Sequence, residues 1–351
     1  MSKPKAQIWY LDFDIYRLVV WLNKKIWTEI FHEEKLKGDV RFDEPMTEYT
    51  SFRIGGPAEV MFFPEDLSDL RSVLRGAKRN NIQLFILGLG TNLLVKDGGI
   101  PGVTVNLKNL NKIEIVGSQG ANPPLPPFTL APLRGAGFTK GGGGGIIYAE
   151  AGVPLPMLLS FAARNGLEGL EFTAGIPGAL GGAIIMNAGT KDGEMKDVVD
   201  TVTLMDSDGE IKTAKRDDIS FGYRRSGIEG MIVVNANLKL RKGDPEVIKE
   251  GIKDHIKERK NREPSGLPNA GSVFKNPESV PAGKILEELG FKGFRVGDAE
   301  VSRVHANFIV NRGKAKASDV ISIINAIKEK VLKERKIVLE PEIRIVGING
   351  N

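Results

Sequence analysis

Three short polar stretches and two glycine-rich segments hold the residue types that could do chemistry in this 351-residue chain. "FGYRRS" sets Tyr223 and Arg224 beside a glycine, and "NAGSVFKNP" sets Ser272 after a glycine with Lys275 and Asn276 behind it. "LEPEIRIVG" alternates Glu340, Glu342 and Arg344, which places all three on one face of a strand. Taken singly, these are a surface arginine, a turn serine and a salt-bridged strand. The glycine segments narrow the ligand. "LGLGTNLLV" runs Gly88, Gly90, Thr91, Asn92, Leu93 between two apolar runs. Glycine lets backbone approach a ligand closely, and free N–H groups in such a turn form an anion nest. Thr91 and Asn92 add short side chains suited to phosphate oxygens. "GIPGALGGAIIMNAG" carries Gly175, Gly178, Gly181, Gly182 and Gly189, with Ile176, Pro177 and Asn187 among them. Glycines at that density beside strands point to a flat or diphosphate ligand lying on bare backbone. Two such segments could grip the two halves of one extended dinucleotide. Neither is a Walker loop, because no Gly-Lys-Ser/Thr follows.

The elements that must position these residues read as an α+β protein. Residues 37–108 alternate short strands with a helix: "PAEVMFFP" is a strand, "DLSDLRSVLRGAKRNN" a helix capped by Asp66 or Ser68, and "IQLFILG" and "GVTVNL" are strands. Residues 109–242 form a second unit. There "NLNKIEIV" and "IIYAEA" pair, "LPMLLSFAARNGL" is a helix ended by Gly166, and Asp208-Gly209 makes a tight hairpin. Between the paired strands lies a Gly/Pro insert, 117–145, read as a mobile hairpin tip. Residues 243–351 form an α+β unit of three helices and short strands. Residues 1–36 form a helical extension holding all three tryptophans, Trp9, Trp21 and Trp27. Its apolar residues recur at helical spacing, so it packs on the main body or meets a membrane surface or a partner.

Composition excludes several chemistries. There is no cysteine, which rules out disulfides, thiolate metal sites and a cysteine nucleophile and fits a reducing cytoplasm. His32, His255 and His305 are far apart and show no metal-ligand spacing, so no metal is expected. Net charge is +5, spread along the chain without a dense basic block, which argues against a nucleic-acid partner. No apolar run is long enough for a transmembrane helix, and Asp12 and Asp14 interrupt any signal sequence.

Taken together and in order, "YTSFRIGGPAEV", "LGLGTNLLVKDGGIPGV", "GLEGLEFTAGIPGALGGAIIMNAG", "FGYRRS", "PNAGSVFKNP", "AGKILEELGFKGFRVGDAEVS", "HANFIVN" and "LEPEIRIVG" resemble the UDP-N-acetylenolpyruvoylglucosamine reductase family. The likeness covers roughly residues 35–347, and the short C-terminal part resembles the family's shorter, second type. The resemblance implies an FAD-binding fold of the vanillyl-alcohol oxidase type in two subdomains, 37–108 and 109–242, followed by a substrate domain. It implies non-covalent FAD, NADPH as co-substrate, and reduction of UDP-N-acetylglucosamine enolpyruvate to UDP-N-acetylmuramate for peptidoglycan synthesis in the cytoplasm. Ser272 matches the family's proton donor, and Arg224 and Glu342 match the residues that bind and polarise the substrate carboxylate. Arg53, Gly88, Gly90, Thr91, Asn92, Leu93, the 175–189 segment and Arg344 become FAD candidates. Tyr223, Lys275 and Asn276 become substrate candidates. One departure stands out. The family follows Asn-Ala-Gly with Ala-Tyr-Gly, whereas Gly189 here is followed by "TKDGEMKD", so an aromatic residue near the flavin or nicotinamide route is missing.

Two other readings share parts of this pattern. An FAD-dependent oxidase of a small hydroxy acid would use the same glycine segments but would not need "NAGSVFKNP" with "LEPEIRIVG". A nucleotide-sugar binding protein without activity would be colourless when purified.

Overall fold

The structure is a computed structural model, and it describes residues 24–30, 35–116, 144–228, 230–278 and 280–350. The Gly/Pro insert, apart from its last residues, and residues 1–23 of the extension lie outside the described residues.

Strand Pro57–Phe63 is buried on both faces beyond its first residue, which is why its sequence is apolar apart from Glu59, whose buried carboxylate accepts from the Gly102 amide at 2.7 Å. It pairs antiparallel with Asp39–Pro45 and parallel with Ile100–Asn106. Leu84–Leu87 completes this four-stranded sheet at its other edge. Helix Leu67–Arg79 covers the sheet with Leu70, Val73, Leu74 and Ala77. Asp66 caps it by accepting a hydrogen bond from the Asp69 amide at 2.9 Å. The Asp69 carboxylate, buried behind the cap, accepts from the Gly38 amide at 2.8 Å and so ties the helix start to the first strand.

The second sheet runs Ile211–Lys215, Val199–Met205, Ile232–Lys242, Gly144–Glu150, Ile113–Val116, with every pair antiparallel. Leu167–Glu168 pairs at the far end of the long strand. The hairpin between Val199–Met205 and Ile211–Lys215 is wider than a two-residue turn. Met205 faces Ile211, and the Asp206 amide donates to the Glu210 carbonyl across a five-residue connection with Gly209 at φ +76. One apolar core joins both sheets, from Val60 and Leu70 to Ile147, Leu158 and Val234. Trp27 and Ile30, on the helical turn 24–30, are buried in that same core.

Helix Pro245–Arg262 also lies against this core: Ile248 is buried, and Ile252 and Ile256 pack on the cluster. The C-terminal unit proper has its own core. It combines strands Arg295–Val296, Ala299–Val301 and Ile309–Asn311 with helices Ala282–Glu288 and Ala317–Arg335. Phe52, Ile54 and Leu94 reach into it from the first unit. Asp97 reaches across as well, accepting from the Ala317 amide at 2.7 Å and the Ser318 amide at 3.0 Å. It thereby caps the N-terminus of helix Ala317–Arg335, the longest described, from the first unit. The chain then returns: Arg344–Val346 pairs parallel with Leu93–Val95, directly beyond the first glycine turn. No described helix is long and apolar enough to cross a membrane.

Candidate active site

The two glycine segments meet. Gly88 to Asn92 forms the turn between strands Leu84–Leu87 and Leu93–Val95. The Thr91 hydroxyl donates to the Pro177 carbonyl at 3.2 Å, fastening this turn to the second segment. Several of the glycines have packing reasons to be glycine. A Cβ on Gly90, which sits at φ +62, would lie 2.0 Å from the Tyr49 carbonyl oxygen. One on Gly175 would meet the Arg259 side chain at 2.9 Å, and one on Gly181 the Ala151 Cβ at 2.9 Å. One on Gly189 would lie 2.5 Å from the Gly193 carbonyl oxygen, inside the small hairpin Gly189–Thr190 with Gly193–Glu194. Others face open space. Gly182 has no atom within 4 Å of its Cβ position and Gly88 has only the Ala179 Cβ at 3.7 Å. Gly178, at φ +145, leaves 3.4 Å to the Thr91 hydroxyl. Bare backbone at Gly88, Gly178 and Gly182, bracketed by Thr91, fits a flat dinucleotide cofactor.

Residues 180–185 are a short helix, not a continuous loop. Leu180 and Ile184 are fully buried, so apolar side chains between the glycines supply the turn's anchorage to the core. Leu93 and Ile176 belong to apolar clusters as well, so their side chains support the segments from behind. Arg53 is exposed at φ +52, and its carbonyl accepts from the Asn311 side chain at 3.3 Å. Arg344 is exposed, with its amide donating to the Asn92 carbonyl at 2.9 Å.

Arg224, Ser272 and Glu342 come together from three distant parts of the chain. Arg224 stands at φ +55 in a turn closed by the Gly222 amide donating to the Arg225 carbonyl at 2.9 Å. Its Nε donates to Glu342 Oε1 at 2.8 Å, and its Nη2 to the Gly189 carbonyl at 3.3 Å. The Glu342 amide donates to the Val273 carbonyl at 2.7 Å, next to Ser272, and the Glu342 carbonyl accepts from the Asn92 side chain at 3.1 Å. Glu342 therefore touches the first glycine turn, the serine segment and the arginine turn at once. Burial pushes its carboxyl above the usual carboxylate range, and the charge and hydrogen bond of Arg224 pull the other way. Ser272 is half-buried, and among the described residues its hydroxyl makes no hydrogen bond. The Cβ position of Gly271, beside it at φ +80, faces nothing within 4 Å.

Of the substrate candidates, Tyr223 is exposed, and its hydroxyl accepts from the Asn276 amide at 3.4 Å. Lys275 pairs with Glu340 at 3.1 Å, and Asn276 caps helix Ala282–Glu288 through the Ala282 amide at 3.0 Å. Two residues beyond the candidate set hold the serine segment. Asn307 is buried, accepts from the Phe274 amide at 3.0 Å and donates to the Phe274 carbonyl at 2.8 Å. Ser51 donates to the Asn269 carbonyl at 2.7 Å. The sequence signal for Asn307 is a polar residue set between the apolar Ala306 and Phe308–Val310.

Two cavities, of about 370 and 220 Å³, share Phe172, Asp192 and His255. Ser272, Arg224, Glu342 and Gly88 line neither. Here Asp192, His255 and Glu258 bring ligand-type atoms within 4.8 Å of one another. Glu258 is already paired with Lys191 at 3.1 Å and Arg262 at 2.9 Å, so the cluster is an ion-pair network. It gives the departure after Gly189 a physical role: the "TKDG" tip is docked on helix Pro245–Arg262 by charge.

Bare backbone that fits a flat cofactor, with a carboxylate, a guanidinium and a hydroxyl beside it, defines a dinucleotide-dependent enzyme of the flavoprotein class. An FAD binding domain family model matches residues 58–215, and a UDP-N-acetylenolpyruvoylglucosamine reductase C-terminal domain model matches 263–346. The reductase of Syntrophus aciditrophicus is 41% identical over 92% of this chain and 98% of its own. That of Clostridium novyi is 38% identical over 93% and 96%. The crystal structure of the Thermus caldophilus enzyme superposes with a TM-score of 0.69 at 32% identity, covering 88% of this chain and 99% of that one. The chain belongs to the UDP-N-acetylenolpyruvoylglucosamine reductase family. It is an FAD-dependent oxidoreductase with NADPH as co-substrate.

Proposed function

We propose that Arg224, Ser272 and Glu342 carry the chemistry of this flavoenzyme, and that the Gly88–Leu93 turn and the Gly175–Gly182 stretch hold its cofactor. The reaction is reduction of UDP-N-acetylglucosamine enolpyruvate to UDP-N-acetylmuramate, a step of peptidoglycan precursor synthesis. FAD bound there would, once reduced by NADPH, supply the hydride. Gly88, Gly178, Gly182 and Thr91 would hold it, with Arg53 and Arg344 as flanking cations.

The enolpyruvyl group takes hydride at its β-carbon and needs a proton at its α-carbon. Between the two events, negative charge builds on its carboxylate oxygens. Arg224 neutralises that charge as it develops. Glu342, raised by burial, adds a hydrogen bond to the same carboxylate when protonated. Ser272 delivers the proton: its hydroxyl is uncommitted and sits beside the residue that anchors Glu342. A serine is a weak acid, so it serves only because the charged substrate intermediate is strongly basic. Tyr223, Lys275 and Asn276, at the mouth of this group, would contact the nucleotide sugar. We place the enzyme in the cytoplasm, where its nucleotide substrates are made.

The observation that carries the assignment is the convergence of three distant segments on Glu342. A visible spectrum tests it. The purified protein should show oxidised flavin, bleached by NADPH and restored by the enolpyruvyl substrate. Restoration by a small hydroxy acid's keto product instead would favour the oxidase reading, and a colourless protein the binding-protein reading.

A further inference from the structure

Arg224 is held by more than Glu342. Its turn and the Gly189 carbonyl it touches belong to different pieces of chain, and one side chain joins them. Asn187 is fully buried and left-handed at φ +42, a conformation that asparagine tolerates better than most residues. Its Nδ2 donates to Glu194 Oε2 at 2.7 Å and to the Gly222 carbonyl at 3.1 Å. Its Oδ1 accepts from the Lys196 amide at 3.0 Å. Every polar atom of that amide is thus used within the protein, and the side chain is not presented to a ligand.

The two acceptors are the two supports of Arg224. Gly222 starts the turn that carries Arg224, and Glu194 lies opposite Gly189 in the small hairpin whose Gly189 carbonyl accepts from the guanidinium. We propose that Asn187 and Glu194 are positioning residues for Arg224, locking its turn to the Gly189 hairpin so that the guanidinium stays aimed at the substrate carboxylate. The inference rests on Arg224 binding that carboxylate.

Glu194 adds a fixed charge. The Lys196 hydrogen bond first, then Asn187 and the charges of Lys196 and Arg224, hold its carboxyl below the usual range against a smaller burial effect. Glu342 is pushed the opposite way. Two carboxylates near one guanidinium are thereby divided: one stays ionised while the other is free to take a proton.

The test uses the FAD-loaded enzyme and separates its half-reactions by stopped flow. Asn187→Gly removes the side chain yet keeps the left-handed backbone cheap. Glu194→Gln keeps an acceptor for Asn187 but removes the charge. Both variants should bind FAD and be reduced by NADPH within about 2-fold of wild type. Asn187→Gly should reoxidise with the enolpyruvyl substrate about 10- to 100-fold more slowly, with a raised KM, as expected of a displaced catalytic group. Glu194→Gln removes a fixed negative charge beside Arg224 and should slow the same step, by less than Asn187→Gly does. Asn187→Gly reoxidising at the wild-type rate, or slowed equally in both halves, overturns the proposal, as does a Glu194→Gln variant that reoxidises at the wild-type rate. Arg224→Ala is the control. If it too reoxidises normally, the Arg224 assignment falls along with the proposal; if it is slow while Asn187→Gly is not, only the positioning role falls.

Discussion

The two glycine segments look alike in sequence and differ in what their glycines do. In the first, Gly90 is required by a carbonyl of its own protein, the Tyr49 oxygen, while Gly88 has room beside it. In the second, Gly175, Gly181 and Gly189 are pressed against Arg259, Ala151 and the hairpin backbone, while Gly182 faces empty space. Glycine density therefore overstates ligand-facing surface. Most of the glycines let chain pack on chain, and only a few leave backbone bare for the cofactor.

Substitution at these glycines separates the two classes. Gly90→Ala should have the largest effect: a left-handed alanine costs about 1–2 kcal/mol before the clash with Tyr49 is counted. The total should exceed ~3 kcal/mol, seen as a lower melting temperature even without FAD. A stable Gly90→Ala protein would erase the distinction. Gly182→Ala should do the reverse. The helical alanine should be neutral or stabilising by about 0.5–1 kcal/mol without cofactor. FAD affinity, measured by flavin fluorescence, should fall about 10- to 100-fold, as an added methyl costs about 1–3 kcal/mol in a packed contact. Unchanged FAD affinity would move the cofactor away from this turn.

Glu342→Gln gives a smaller, pH-dependent effect. Burial raises the Glu342 carboxyl, so the protonated form persists above the ordinary carboxylate range and is lost as pH climbs through the raised value. Substrate-driven reoxidation in wild type should fall along that limb, and the limb should be absent in Glu342→Gln. A limb retained in the variant assigns it to another group. Gly88→Ala should be the mildest for the fold, because the new methyl would rest at ordinary contact distance from Ala179; it should still weaken FAD binding, and unchanged FAD affinity would remove Gly88 from the cofactor site.

Local pattern made much of the fold legible. The mostly apolar strand Pro57–Phe63, the Asp66 cap and the pairing of Ile113–Val116 with Gly144–Glu150 follow from composition and spacing. What local pattern hid is long-range. Nothing in "LEPEIRIVG" says that Arg344–Val346 lies parallel to Leu93–Val95, yet that pairing delivers Glu342 to the glycine turn. The chain shift near residue 243 is similarly deceptive. The charged helix Pro245–Arg262 reads as the start of a new unit, but Ile248, Ile252 and Ile256 commit it to the main core, and the C-terminal family match begins at residue 263. Asn187 was legible only as part of a glycine-rich segment. Its buried hydrogen bonds to Glu194 and Gly222 depend on a hairpin that no local signal announces.

The central claim is that a hydroxyl at position 272 completes what the cofactor begins. Single-turnover kinetics of Ser272→Ala test it most directly. Reduction of the bound flavin by NADPH should proceed at the wild-type rate, while reoxidation by the enolpyruvyl substrate should slow by at least ~100-fold, the low end for loss of a general acid. Equal slowing of both steps, or normal reoxidation, would contradict the account.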